Sequence, residues 1–308
     1  MHLLHQLAEL ERFKRSIFLT LGVFDGVHLG HQAIIRQMVR SARVTDGEAV
    51  IITFHPHPAK ILRPESAPLL LTTEQQDYEL FSGLDVDVCV VLNFDRAISL
   101  CPPKNFLDQL LKSAPTLQTV VVGPDWHFGH GREGDFRFLK IWANNHKLHA
   151  SEVIPVYLDG QMVSSTIIRN QIAGGDVLRA NAGLGRPYQI IGRVVHGKGV
   201  GTQLGFPTAN LDVENELIPA RGVYAARALL DGEVFAAVIN IGSKPTVSNS
   251  GVTNVEAHLL EFRGDIYGHH LRLDFLAYIR QERKFETVTH LKTQIHADIE
   301  ASYQLAHR

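Results

Sequence analysis

Cysteine is scarce in this chain of 308 residues, occurring only at Cys89 and Cys101. Two thiols make neither a disulfide framework nor a metal knuckle, and Cys89 lies within the strand-like run VDVCVVLNF. A buried, reduced thiol is the reading, which predicts a cytoplasmic protein. Apolar runs long enough to cross a bilayer are missing as well. The opening segment, MHLLHQLAELERFKRSIF, is broken by charge and lacks the small-residue cleavage site of a secretory signal. Nor is there a surplus of either charge: 30 basic residues stand against 32 acidic ones, for a net charge of -2. No whole-chain attraction to nucleic acid or anionic lipid follows, and neither is expected as a partner. Repeats and low-complexity segments are absent. The 17 histidines are scattered instead of grouped at ligand spacing, and most read as surface residues.

What is present is a 45% hydrophobic chain long enough for two ordinary domains. In the first half, apolar β-rich runs alternate with segments of helical period, the signature of βαβ units and a parallel sheet. SIFLTLGVF reads as a strand, followed by HQAIIRQMVRSARV as a helix with Ile34, Ile35, Met38 and Val39 inward. GEAVIITF, VDVCVVLNF and TVVVG read as further strands. Open sheets of this kind bind ligands beyond the carboxyl ends of their strands. After LGRPY, near residue 184, the pattern changes to short β runs, from QIIGRVV to HLRLDFLAYI. Asp231-Gly232 between two of them signals a hairpin, and the half predicts a small antiparallel barrel. It closes with a helix whose Leu291, Ile295 and Ile299 are expected to pack on the barrel's outside. The expected division is residues 1–183 and 184–308.

Two segments of the first half suggest a nucleotide site. TLGVFDGVHLGH sets a glycine-punctuated turn between a strand and a helix, which aims backbone N–H groups and the positive helix end at a phosphate. His28 and His31, three residues apart, present two imidazoles to one anion, with hydrogen bonds and partial positive charge. A tight turn with two solvated histidines is the plain alternative. Further on, Ser164, Ser165 and Thr166 open a helix with Arg169 in its first turn. Simple N-capping accounts for the hydroxyls, whereas the guanidinium suits phosphate oxygens.

In the second half, Thr208 and Asn210 of GFPTAN offer two hard oxygen donors on one face of an extended segment, as magnesium prefers. A turn with an Asx hydrogen bond is the alternative. Glu256 of VEAHLLEF falls on the inward phase of its strand together with His258, unless that face is a site. An inward carboxylate needs a partner or a task, and an ion pair with Arg280 is the structural option.

The strand followed by HxGH, with SSTxxR much later, resembles the nucleotidyltransferase superfamily. TFHPHP and VVGPDWHFGHGREGD narrow the likeness to the bacterial FAD synthetase module. After the domain change, GRVVHGKGVGTQLGFPTANL, GVYAA, NIGSKPT, VEAHLLEF and LAYIRQERKF resemble riboflavin kinase. The likeness covers nearly all of residues 15 to 305, as the bifunctional riboflavin kinase/FAD synthetase family. It implies an α/β, Rossmann-like HxGH nucleotidyltransferase domain followed by a small antiparallel β-barrel kinase domain with a C-terminal helix. The implied chemistry is phosphorylation of riboflavin to FMN by ATP with Mg2+, then adenylylation of FMN to FAD with release of pyrophosphate.

By resemblance, ATP for adenylylation is held by Gly22, Phe24, Asp25, Gly26, His28, His31, Ser164, Ser165, Thr166 and Arg169, with His28, His31 and Arg169 acting in catalysis. The flavin there meets His57, Asp125, Phe128 and Gly129; Trp126 and Phe128 offer rings to stack, or only anchor a loop. In the kinase, Gly197, Lys198, Gly205, Pro207, Thr208 and Asn210 bind ATP and magnesium, and Glu256 is the general base. Some positions depart from the family: Val200 and Thr202 stand where arginines are usual, His127 replaces a frequent arginine and Pro124 a frequent acid. Competing readings are an enzyme keeping one activity, a flavin-binding regulator without catalysis, and a class I aminoacyl-tRNA synthetase. The last would carry a lysine-containing second signature, which this chain lacks.

Overall fold

A computed structural model describes residues 1–197, 199–243 and 253–307. The expected sites at Lys198 and within SKPT beyond Ser243 lie outside the described residues. Contacts divide the chain into two compact units, Met1–Leu69 with Glu74–Val163, and Leu70–Thr73 with Ser164–Arg308.

The first unit is built on six parallel strands: β1 (His2–Leu4), β2 (Ile17–Leu21), β3 (Glu48–His55), β4 (Val88–Asn93), β5 (Leu117–Val122) and β6 (His149–Glu152). Their spatial order is β1-β4-β3-β2-β5-β6, with every neighbouring pair parallel. The inner strands are apolar on both faces because both are covered. Alternate residues feed two cores. Ile17, Leu19, Leu21, Val50, Ile52, Val90 and Val120 join one, with Phe106, Leu110, Leu139 and Trp142 of the covering helices α5 (Pro103–Ser113) and α6 (Phe136–Asn145). Phe18, Ala49, Ile51, Cys89 and Val121 join the other, with Ile35 and Met38 of α1 (Leu29–Val44) and Phe81 of α3 (Glu74–Ser82). Burying each such large side chain is worth about 1.5–3 kcal/mol. Smaller pieces complete the unit: α2 (Pro58–Leu62), α4 (Arg96–Ser99) and a hairpin of β7 (Tyr157–Leu158) with β8 (Gln161–Met162). The edge strand β1 escapes sequence reading, because three residues carry no period. Cys89 is fully buried, and its thiol is pushed up to about 12, chiefly by burial.

The second unit begins with α7 (Ser165–Ala173) and α8 (Val177–Leu184) and continues as a closed antiparallel barrel. Its strands are β9 (Tyr188–Val195), β10 (Ala209–Val213), β11 (Gly222–Leu230), β12 (Glu233–Ser243), β13 (Thr253–Leu259) and β14 (His270–Arg280), with the short α9 (Val200–Leu204) between β9 and β10. They follow the order β10-β13-β12-β11-β14-β9, and β9 closes on β10. Ile190, Leu211, Ile239, Val255, Ala257, Leu273 and Phe275 are among the residues filling the interior. The foreseen hairpin is there: Asp231 and Gly232 have φ of 49° and 90° between paired Leu230 and Glu233, as a type I′ turn requires.

The closing helix α10 (Val288–Ala306) packs on the barrel, with one difference from expectation. Leu291, Ile295 and Ile299 are only half-buried. Its deeply buried positions are polar: Asp298 meets Arg280, and Ser302 donates through Oγ to the Ala237 carbonyl at 2.6 Å. Apolar periodicity therefore points to a flank of the docked face. None of the described helices is long and apolar enough to cross a membrane.

Candidate active site

The HxGH turn begins where β2 ends. The Gly22 amide donates to the Ile52 carbonyl at 3.1 Å, carrying the parallel ladder one step beyond the strand. Phe24 turns inward, edge-on to Phe81 and His31 at 5.9 and 5.3 Å. Asp25 is buried, and Gly26 follows with φ of 80°, leading into His28, the N-cap of α1. His28 Nδ1 accepts from the His31 amide at 3.3 Å, so a neutral His28 carries its proton on Nε2. The two rings stack at 3.6 Å with 20° between their planes. Gly30 makes room for this: a Cβ there would lie 3.0 Å from Cε1 of His28.

Neither histidine is simply solvated. His28 is buried, and Nδ1 of His31 has no hydrogen-bond partner among the described residues. Burial, with a smaller contribution from His28, holds His31 well below the ordinary imidazole range. The expectation of shared positive charge is thereby corrected for His31, whose burial favours the uncharged ring.

Around the residues expected to meet the flavin, local packing is explicit. His57 caps α2 by accepting from the Ala59 amide at 3.0 Å. Phe128 stacks on Trp126 at 4.4 Å and 20°, and meets Phe106 and Phe138 edge-on. Both rings therefore pack on each other and against the core. Asp125 is exposed, with φ of 58°. At Gly129, φ is 74° and a Cβ would come within 2.5 Å of Pro103, so glycine is required there. His127 contacts Arg132 at 3.2 Å, which brings a guanidinium beside the histidine that replaces the family's arginine.

The second signature opens α7 in the second unit. Ser164 is the N-cap, its Oγ accepting from the Ile167 amide at 3.4 Å. Ser165 is the first helical residue, Thr166 is exposed, and Arg169 stands one turn above Ser165 on the same face, not in the first turn.

Of the expected kinase residues, Thr208 and Glu256 line a cavity of about 350 Å3, together with groups that include His258, Phe206, Phe285 and Ile295. Interior Val255, Ala257 and Leu259 alternate with Glu256 and His258, so these two face out of the barrel and into the cavity. Register sets Glu256 between Asn210 on β10 and Asn240 on β12, three polar side chains abreast on adjacent strands. The Glu256 carboxylate accepts from Asn254 Nδ2 at 2.7 Å. Its suggested partner Arg280 is engaged elsewhere, donating from Nε and Nη2 to both oxygens of Asp298 at 2.7–3.1 Å.

The supporting loop is tightly fitted. Gly205 ends α9 with φ of 93°, the Pro207 carbonyl accepts from His258 Nδ1 at 2.7 Å, and a Cβ on Gly201 would lie 2.9 Å from Thr208 Oγ1. A Cβ on Gly197 would overlap the Asn210 amide, which is 9% exposed. Asn210 thus lies beneath this loop, while Thr208 lines the cavity. Sequence reasoning missed Asn240, His258, Asp298, Arg283 and Phe285 as site residues. NIGSKPT and VEAHLLEF already held Asn240 and His258, and RQERKF held the signal for Arg283 and Phe285, with the guanidinium carbons of Arg280 and Arg283 near the Phe285 ring at 5.7 and 4.9 Å.

A parallel-sheet unit with an HxGH turn, joined to a closed barrel with a carboxylate in an outer cavity, defines a nucleotidyltransferase-type domain coupled to a flavokinase-type domain. Family models agree: FAD synthetase matches residues 10–167 and riboflavin kinase residues 184–306. The chain belongs to the bifunctional riboflavin kinase/FMN adenylyltransferase family. It is 38% identical to that enzyme of Pseudomonas fluorescens over 99% of this chain and 98% of the relative. Identity to the Escherichia coli K12 enzyme is 34%, covering 91% and 90%, and to the Bacillus subtilis enzyme 33%, covering 96% and 95%. Among solved structures it is similar to one described as the macrolide-efflux protein of Streptococcus pneumoniae, with TM-score 0.89, 28% identity and coverage of 98% and 99%. That description has no counterpart here in a membrane-crossing helix among the described residues.

Proposed function

We propose that the chain makes FMN and then FAD with small-molecule substrates alone, phosphorylating riboflavin on the barrel and adenylylating FMN in residues 1–183, in the cytoplasm. The observation that carries the kinase half is the row Asn210, Glu256 and Asn240 beside a cavity that also presents Phe206, Phe285, Leu291 and Ile295. Its apolar part suits a flavin ring, and its polar edge suits the sugar-like tail. Glu256 takes the proton of the riboflavin 5′-hydroxyl as that oxygen bonds to the γ-phosphorus of ATP and the bond to the ADP oxygen breaks. Magnesium would arrive with ATP and would be held by phosphate oxygens and water together with the hard oxygen donors of Thr208 and Asn210. The ion would neutralise phosphate charge. Gly197, Lys198, Gly205 and Pro207 shape the loop over that nucleotide.

In adenylylation, an FMN phosphate oxygen attacks the α-phosphorus of a second ATP and pyrophosphate leaves. No covalent nucleophile is needed, since positioning and charge stabilisation carry such transfers. His28 and His31 donate to phosphate oxygens, supported by Gly22, Phe24, Asp25 and Gly26. By family resemblance Ser164, Ser165, Thr166 and Arg169 also bind ATP, and His57, Asp125, Phe128 and Gly129 border the flavin.

The test is to incubate the protein with riboflavin, ATP and magnesium and to follow riboflavin, FMN and FAD by chromatography. FMN followed by FAD is expected. FMN alone, with added FMN also left unconverted, would refute the adenylylation half; FAD from added FMN but none from riboflavin would refute the kinase half.

A further inference from the structure

The turn before His28 contains a conformation that its residue type disfavours. Val27 has φ of 39°, although a β-branched side chain crowds the backbone in the left-handed region. A residue held this way persists only where its surroundings impose it. Here the Val27 amide donates to the Phe24 carbonyl at 2.9 Å, and the Val27 carbonyl accepts from Gln32 Nε2 at 3.0 Å. Gln32 also donates its own amide to the His28 carbonyl at 2.9 Å. One residue therefore holds two successive carbonyls of the turn. Val27 is fully buried and Gln32 nearly so, which makes losing the amide donor costly.

A trans peptide points its C=O and N–H in opposite directions. With the Val27 carbonyl fixed on Gln32, the His28 amide faces away from Gln32, and the His28 Cα, from which the ring departs, lies in the same fixed plane. We propose that Gln32 is a positioning residue for adenylyl transfer, clamping the Val27–His28 peptide so that His28 meets the nucleotide phosphates in its working orientation. This rests on the reading that the HxGH turn holds ATP.

The experiment uses the full chain, with FAD formation from FMN as readout and riboflavin phosphorylation as internal control. Q32M keeps the shape and removes the donor; it is expected to lower kcat for FAD formation about tenfold, the order of one net hydrogen bond, with KM for FMN unchanged. Glycine accepts a positive φ without strain, so in a V27G background the same change should cost no more than about twofold. In Q32E, activity relative to the unmodified chain should rise toward acid pH, as the carboxyl regains a proton to donate. An equal loss from Q32M with and without V27G, or a pH-independent ratio for Q32E, overturns the clamp. H28A separates the two levels: if it slows FAD formation and Q32M does not, only the clamp fails; if H28A has no effect, the reading of the turn fails and takes the clamp with it.

Discussion

The two sites are built on opposite plans. At the HxGH turn the working groups come from one contiguous stretch, and backbone geometry does the placing: a ladder that overruns β2, a positive φ at Gly26 and Val27, and a histidine that caps its own helix. At the barrel, residues far apart in sequence are set side by side by strand register, as with Asn210, Glu256 and Asn240. The first plan tolerates little change in backbone shape. The second tolerates backbone detail but depends on individual side chains. The comparison predicts that side-chain deletions hurt the barrel site most and that small added atoms hurt the turn.

The largest effect is expected at Glu256. E256Q removes the proton acceptor while keeping shape and the hydrogen bond from Asn254, so FMN formation should fall by about 10²–10⁴-fold, the usual worth of general-base catalysis. FAD formation from added FMN should persist, measured in the same preparation. Loss of both activities would break the separation between the two sites.

Next comes Asp298, which is 3% exposed at its side chain and grips Arg280 with both oxygens. D298A leaves that guanidinium in a half-closed setting without its partner, a change that typically costs about 3–5 kcal/mol. A lower melting temperature and a higher KM for riboflavin are expected together, because Arg280 also sits against Phe285 in the cavity. A drop in melting temperature with KM unmoved would confine Asp298 to docking α10.

At the turn, H31A should slow adenylylation by about tenfold to a hundredfold and spare phosphorylation, in keeping with the loss of a buried hydrogen-bond donor to a charged group. The pH dependence sharpens this. His31 is held below its unfolded value of about 6.5, so the unfolded chain binds a proton that the folded one refuses. Its contribution to stability is therefore full above that value and declines as pH falls below it. Thermal melting between pH 8 and 5 should show an acid-side loss that H31A reduces.

How much of this was legible in the sequence follows from the same contrast. Contiguous signals survived translation into structure: HxGH at a strand-to-helix turn, the inward set Ile34, Ile35, Met38 and Val39, and the Asp231-Gly232 hairpin. What depends on register or docking did not. Alternation put Glu256 and His258 on the inward phase, whereas they face out of the barrel into a cavity, and the suggested partner of Glu256, Arg280, pairs instead with the Asp298 that α10 brings to it. Likewise, the sequence offered Trp126 and Phe128 as a pair of rings, and only packing shows them stacked on each other.

The smallest effect tests the backbone plan directly. A Cβ on Gly30 would lie 3.0 Å from Cε1 and 3.1 Å from Nδ1 of His28, tighter than an ordinary van der Waals contact yet short of outright overlap. Gly30 lies inside the first turn of α1, where alanine is the better helix former by about 1 kcal/mol. G30A should therefore leave the melting temperature level or slightly raised while FAD formation falls a few-fold, since the added methyl tilts the His28 ring off its stack with His31. Stability and activity moving in opposite directions would mark the glycine as serving ring placement. A fall in both would mean that the methyl disturbs the helix start itself, and the two plans would then differ less than their geometry suggests.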